Sequence, residues 1–455
     1  MKFAHKIKNL VGLGNGNERT NRAKKNIAAG FLIRAINISV GLLTMTITIN
    51  YLNQTNYGIW ITLNSLVAWI GYFDIGFGNG LKNRLAEALA KENHDLAKTY
   101  VSTTYAILII IISLFSVAFY IANLYIKWNV VLNAGDDPIL GEELNNLAFV
   151  VFTTFGITFV LNLIAVILNA DQQTAKSSML DLVGKSLSLL LIYILTKFSN
   201  SSLLSLGLIY SGVSPLVLAI ASIWFFQGKY KRYRPSFSSV DFSKAKDIFS
   251  VGSQFFIIQI AGIVLYQTNN IIIIHLFGPE MVTPYNVSFK YFSVLMMGWM
   301  IVIGPFWSAF TEAWTKKDIK WIKSIMNKLM LGWCILLIFG LIMLMASGTV
   351  FRFWINKDFI VPFWVSTLTL TWILINTWNG IFCHFLNGIG KIKLQMIIVI
   401  IVGVINVPLS IKFGKLIGIE GVLLSNVILS LVPVIIYPIQ YSKLISFNAT
   451  GIYNK

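Results

Sequence analysis

Stretches of about twenty predominantly apolar residues recur twelve times along this chain, and each is long enough to cross a bilayer's hydrocarbon core as a helix. They run roughly 27–52, 57–79, 100–126, 144–169, 178–196, 203–226, 249–275, 282–307, 329–350, 360–386, 392–411 and 417–441. No connecting segment exceeds about 22 residues, so no room remains for a soluble catalytic domain. Only 12% of the 455 residues are charged and 56% are hydrophobic, against about 25% charged in soluble globular chains. A soluble enzyme, a disordered chain and a fibrous protein are excluded. The expected fold is an all-α membrane protein of twelve transmembrane helices.

The net charge of +18 would suggest nucleic acid in a soluble chain. Its distribution says otherwise. With the N-terminus cytoplasmic, the inner segments hold 27 of the 36 Lys and Arg, the outer loops hold 6, and Arg34, Lys185 and Lys290 fall within helices. That bias fixes both termini on the cytoplasmic side of the membrane and leaves no nucleic-acid partner. Segment 1–26 is polar and basic and lacks the short apolar core of a signal peptide. Gly12, Gly14 and Gly16 form a loose glycine repeat with no preceding strand, a surface segment and not a phosphate loop. Cys334 and Cys383 lie in apolar runs, which predicts neither a disulfide framework nor a metal site. No nucleotide loop or catalytic cluster is visible, so no cofactor and no enzymatic activity are expected.

The polybasic run 229–234, suited to anionic lipid headgroups, stands at the chain's midpoint. Six spans on each side give the halves the same orientation, a parallel repeat. Glu87-Ala-Leu-Ala-Lys91 after span 2 and Glu312-Ala-Trp-Thr-Lys316 after span 8 occupy matching places. The expected layout is a basic segment 1–26, a six-helix bundle 27–226, a linker 227–248, a second six-helix bundle 249–441 and a tail 442–455.

Charge inside a membrane is costly and faces a cavity or a partner. In span 1, Arg34, Asn37, Gly41, Thr44 and Thr48 share one helical face; in span 2, Trp60, Asn64, Gly71 and Asp74 do so. Arg34 and Asp74 lie at similar depth on antiparallel neighbours and can pair, as a structural bridge or as cavity lining. In span 8, Asn286, Lys290, Ser293 and Met297 repeat the spacing, and Lys290 has no acidic residue one turn away. An aqueous cavity with an anionic ligand explains such a lysine; a partner from another helix is the alternative. Asp181 and Lys185 are spaced to neutralise each other within span 5. Gln259, Gly262, Tyr266, Gln267, Asn269 and Asn270 in span 7, and Asn376, Asn379 and His384 in span 10, suit sugar hydroxyls or interhelical bonding.

Tyr57-Gly-Ile-Trp60, Trp69, Asp74-Ile-Gly-Phe-Gly-Asn-Gly-Leu81, Asn83, Leu85-Ala-Glu-Ala88 and Val101-Ser-Thr103 resemble the bacterial O-antigen flippases. These are the Wzx-like polysaccharide transporters of the multidrug/oligosaccharidyl-lipid/polysaccharide exporter superfamily. Gly76, Gly78 and Gly80 permit close helix approach and an early end to span 2, and Asn79 can satisfy backbone groups freed there. The resemblance implies an undecaprenyl-diphosphate-linked oligosaccharide as substrate, moved from the cytoplasmic to the periplasmic leaflet through a cationic cleft. It implies coupling to a proton or sodium gradient, with Asp74 as the coupling residue. It also implies a polysaccharide polymerase and a chain-length regulator as partners. Arg34 and Lys290 stand in the helices where the cleft's charges are expected, with Asn37, Asn64 and Asn286 as further substrate-binding candidates. A drug or metabolite antiporter of the same superfamily would instead carry cavity acids, and a membrane-embedded enzyme would need a larger outer loop or clustered acids.

Overall fold

A one-residue turn joins two antiparallel helices only if its backbone can enter the left-handed region, which Asn and Gly tolerate best. Asn53 (φ 69°), Gly278 (φ 89°) and Gly418 (φ 81°) make such turns. They join α1 (Glu18–Leu52) to α2 (Gln54–Gly71), α9 (Thr268–Phe277) to α10 (Pro279–Ile303), and α14 (Lys393–Ile417) to α15 (Ile419–Ile445). The computed structural model describes residues 18–71, 77–171, 173–248, 268–304, 306–356 and 358–454. The remaining helices are α3 (Phe77–Ala90), α4 (His94–Asn123), α5 (Pro138–Leu161), α6 (Leu163–Ala170), α7 (Thr174–Phe198) and α8 (Leu203–Gln227). In the second half they are α11 (Phe306–Thr315), α12 (Ile319–Trp354) and α13 (Phe363–Gly388). No strand occurs among the described residues.

Local chemistry sets several of these starts. The side chains of Asn93, Asp137, Ser202 and Asp318 accept hydrogen bonds from the first free amides of α4, α5, α8 and α12, and Pro138 sits where its missing N–H costs nothing. Helices run past the apolar stretches that define them. The 36 residues of α12 rise about 54 Å, well beyond a 30 Å hydrocarbon core.

Nine described segments are long and apolar enough to span a membrane, with α5 and α6 counted as one. The protein is therefore a multi-pass helical membrane protein. Three other predicted spans are occupied by α2, by the ten-residue α9, and by α13, whose Thr, Trp and Asn content dilutes its apolarity. Span 2, read as continuous over 57–79, is described as α2 to Gly71 and as α3 from Phe77, which continues to Ala90. Span 8, read as 282–307, is α10 ending at Ile303 with a separate α11 beyond it. Apolar side chains on the outward face of α12, among them Leu331, Ile335, Phe339 and Met345, are exposed. In a bilayer that face meets lipid.

Packing differs between the two ends of the molecule. At the end bearing Asn53, Gly278 and Gly418, one apolar cluster draws on both halves: Leu52, Trp60 and Leu147 from the first, Ile273, Val282 and Ile355 from the second. At the opposite end the clusters are separate. Leu81, Leu85, Ile164 and Phe226 belong to one, with Ile248 of the linker; Ile303, Phe310, Met326 and Phe385 belong to the other. The shared end is held by the crossing of α2 and α10. At Gly58 an added Cβ would stand 1.8 Å from the Pro279 carbonyl oxygen, so only hydrogen fits. Beside it Gln54 donates to the Glu280 carbonyl (3.0 Å), and Thr283 donates to that of Gln54 (2.6 Å). Deeper in, Asn286 donates to Asn270, which donates to Ser65. Asn406 donates to Asn426, Asn426 to Asn269, and Asn269 to the Tyr285 hydroxyl. The span 7 amides within the described residues, Asn269 and Asn270, thus bond neighbouring helices.

The linker's hydrogen bonds to helices, among the described residues, go to the first half. An added Cβ at Gly80 would meet the Ile248 carbonyl oxygen at 2.1 Å, and Arg84 Nε donates to the Asp247 carbonyl at 3.2 Å. His94 bonds the Tyr233 hydroxyl at 2.6 Å. Asp171 accepts from Lys229, from the Tyr230 hydroxyl and from Gln173. Partial burial works against this carboxylate, but the three donors outweigh it and hold its pKa below the ordinary range. Of the polybasic run, Lys231, Arg232 and Arg234 remain exposed.

Two expectations follow. Gly58→Ala forces α2 and α10 apart and costs about 1–3 kcal/mol by overpacking, whereas Gly141→Ala, in open space near the start of α5, is neutral or stabilising; thermal unfolding in one detergent compares them. A depressed Asp171 pKa gives stability that is present above the unfolded value and disappears as pH falls through the folded one. Asp171→Asn should therefore cost about 1 kcal/mol at pH 7, after discounting for solvent screening, and the wild-type advantage should vanish in acid.

Candidate functional site

Between the halves, beneath the shared core, lies a cavity of about 490 Å³ walled by α1, α2, α7, α8 and α10. The three-and-four spacing of α1 turns Asn37, Gly41, Thr44 and Thr48 into it, and α10 turns Asn286, Lys290 and Met297 into the same space. Tyr57, Trp60, Tyr210 and Phe289 add an aromatic wall, with the Trp60 and Tyr210 rings edge to face at 5.3 Å. Such a mix of apolar surface and a few convergent polar groups is the usual make-up of a ligand site.

Lys290 is its electrostatic centre. Its side chain crosses from the second half to the first, so that Nζ stands 3.4 Å from where a Gly41 Cβ would be. No ion pair is formed by Lys290 among the described residues. Across the cavity Lys185 pairs with Asp181 at 2.7 Å. Two ammonium groups thus face one carboxylate, and an anion entering this space meets a positive field in surroundings that screen it poorly. Asn37 Oδ1 and Thr48 Oγ1 are buried here without hydrogen-bond partners. Polar groups left so inside a membrane are costly unless a ligand or water meets them.

The structure brings together Asn37, Asn286 and Lys290. It does not bring Asn64 to the cavity: the Asn64 amide turns back onto its own helix and donates to the Trp60 carbonyl at 2.8 Å. Ser293 likewise bonds the Lys290 carbonyl and stays out of the lining. Asp74 and Gly76 lie outside the described residues, as do Gln259, Gly262, Tyr266 and Gln267. The side chains of Arg34 and Asn79 are also outside them, although α1 and α3 carry these positions. Gly78 is buried near the start of α3. Asp181 and Lys185 pair as their spacing predicts, but they also line the cavity, which their reading as a self-contained pair missed. The signal was present: Asp181, Gly184, Lys185 and Ser188 stand at i, i+3, i+4 and i+7 on one helical face, and all four line the cavity.

Helices of two sequence halves that share a core at one end, beside a cationic cavity, define a multi-pass membrane protein with a polar site between its halves. Across the described structure the fold is similar to that of a multidrug resistance MATE family transporter of the MOP superfamily in its inward-facing conformation. The TM-score is 0.76 at 15% identity, covering 90% of this chain and 96% of that one. Against the outward-facing conformation of a transporter of the same description the TM-score is 0.63, also at 15% identity, covering 94% and 97%. The chain belongs to the polysaccharide biosynthesis protein family, whose pattern matches residues 23–310. It is 23% identical to the "Putative O-antigen transporter" of Salmonella typhi over 87% of this chain and 90% of that protein. It is 22% identical to the "Putative O-antigen export protein" of Yersinia pseudotuberculosis over 79% and 82%. These relatives and the motif at 57–103 agree with the resemblance to the Wzx-like O-antigen flippases.

Titration of inorganic pyrophosphate into the protein in nanodiscs tests the cavity's charge. Lys290→Ala should weaken binding about tenfold or more, a loss of about 1.4 kcal/mol. Asp181→Asn, which frees Lys185, should tighten it, and Asn64→Ala should leave it unchanged. Equal affinity for Lys290→Ala and wild type would remove Lys290 from the site.

Proposed function

We propose that this protein is a flippase that moves an undecaprenyl-diphosphate-linked polysaccharide repeat unit from the cytoplasmic to the periplasmic leaflet by ion-coupled alternating access. The observation that carries this reading is Lys290, unpaired among the described residues, in a cavity between the halves. A lipid diphosphate is an anion with an apolar tail and a hydroxylated head, and it suits a cavity whose charged lining among the described residues is two lysines and one aspartate. A cation antiporter would want the opposite balance. The names of the relatives favour the same substrate class.

Two six-helix bundles, 27–226 and 249–441, related by a parallel repeat, make up the architecture of this proposal. Matching contacts support it: α3 packs on α4 and α6 as α11 packs on α12 and α13, and α8 packs on α5 and α7 as α15 packs on α13 and α14. The turns at Asn53 and Gly278 correspond as well. With the basic loops and both termini cytoplasmic, the shared core closes the periplasmic side of the inner membrane and the separated cores leave the cavity open inward. The substrate enters there beside Lys290, with Arg34 about two turns of α1 before the Gly41 that Lys290 approaches. Asp74 is the coupling residue of this scheme, and Lys231, Arg232 and Arg234 rest on anionic headgroups. A polysaccharide polymerase and a chain-length regulator receive the product outside.

Deletion of the gene should abolish surface polysaccharide, and plasmid-borne Lys290→Ala, expressed at wild-type level, should fail to restore it. Asp74→Asn should leave pyrophosphate binding intact but make transport in vesicles insensitive to an imposed proton gradient. Wild-type transport that ignores both proton and sodium gradients would refute ion coupling.

A further inference from the structure

A second cavity, of about 290 Å³, lies inside the second half, walled by α10, α13, α14 and α15. Helix α10 contributes to both cavities: the neighbours Met296 and Met297 line one each. No Lys, Arg, Asp or Glu lines it among the described residues. Two of its polar side chains are unusual. Asn379 is 6% exposed and Gln395 is 8% exposed, and both line the cavity. The Asn379 amide nitrogen donates to the Ser430 carbonyl at 3.1 Å, while Asn379 Oδ1 and Gln395 Oε1 accept from nothing. Buried acceptors are almost always satisfied, so two in one cavity ask for an occupant with donors.

That occupant is narrowly defined by its surroundings. Its lining among the described residues has no charge to stabilise an ion and suits a neutral ligand. It must present at least two hydroxyl or N–H donors to the amide oxygens, and an apolar face to Trp299 and Tyr437. The volume suits a small ring more than a chain. A pyranose meets each condition, with hydroxyls on its rim and C–H groups on its faces.

We propose that this cavity is a sugar subsite, holding one ring of the oligosaccharide while the diphosphate rests at Lys290 on the other side of α10. The inference rests on the proposed function and adds to it a place where the head group, and not the lipid, is recognised. Amides that hydrogen-bond sugar hydroxyls reject rings lacking them, so specificity for the repeat unit is expressed here.

Cys383 lines the cavity and reports on its occupancy. In a Cys334→Ser background it is the sole thiol of the chain, and its labelling by N-ethylmaleimide is followed by intact mass. Three nanodisc samples are compared: no addition, undecaprenyl phosphate, and undecaprenyl-diphosphate-linked oligosaccharide extracted from the deletion strain. The glycolipid should slow labelling about tenfold at ten times its Kd, and undecaprenyl phosphate should not slow it. Gln395→Leu should abolish the protection while retaining glycolipid binding and a melting temperature no lower than wild type, because an orphaned acceptor has been removed. Equal labelling in all three samples with glycolipid demonstrably bound would overturn the subsite and leave the flippase reading standing, as would a thiol that never labels. Failure of the wild-type protein to bind the glycolipid at all would overturn both.

Discussion

Everything in the arrangement of the two halves depends on the approach of α2 to α10. Gly58 lets the backbones come so close that the Pro279 carbonyl occupies the space of a side chain. Around that crossing the apolar residues of both halves merge into one core, and away from it they part into two. The cavity is the geometric result of the parting. Its walls are the inward faces of helices whose ends meet at the shared core, so polar stripes on α1, α7 and α10 converge on one space. Cationic side chains are tolerated at this depth because the space they face is not lipid.

Much of the fold was legible in the sequence because hydrophobic length and three-and-four spacing are local properties. The α1 stripe from Asn37 to Thr48 and the Asn286–Lys290–Met297 face were readable as lines of residues, and they converge in the structure. What spacing cannot carry is the choice a side chain makes between its own helix and the outside. Asn64 shares a face with Trp60, yet it spends its donor on the Trp60 carbonyl one turn back. Asp181 and Lys185 show the converse: a pair that satisfies itself locally can still face a cavity. Helix ends were the other loss. Apolar length locates the hydrocarbon, whereas α12 and α3 continue on capping and packing interactions beyond it. The short α11 and the anchoring of the linker on Asp171 arise from contacts distant in sequence, which no window of residues contains.

The linker's attachment makes the halves unequal. Residues 229–248 bond α3, α4 and the turn at Asp171, all in the first half. The tail instead returns to the second half, where the Lys391 ammonium donates to the Asn454 carbonyl and Gln440 donates to that of Tyr453. Each half thus carries its own non-spanning segment at the end with the separate cores, and none of these contacts ties one half to the other there.

The closed end has a property of a different kind. Its cross-half hydrogen bonds, from Gln54, Thr283, Asn270, Asn133 and Asn50, run between amides, hydroxyls and backbone carbonyls. No ionised side chain takes part in them. Breaking these bonds therefore separates no ion pair among them, so added salt has none here to screen.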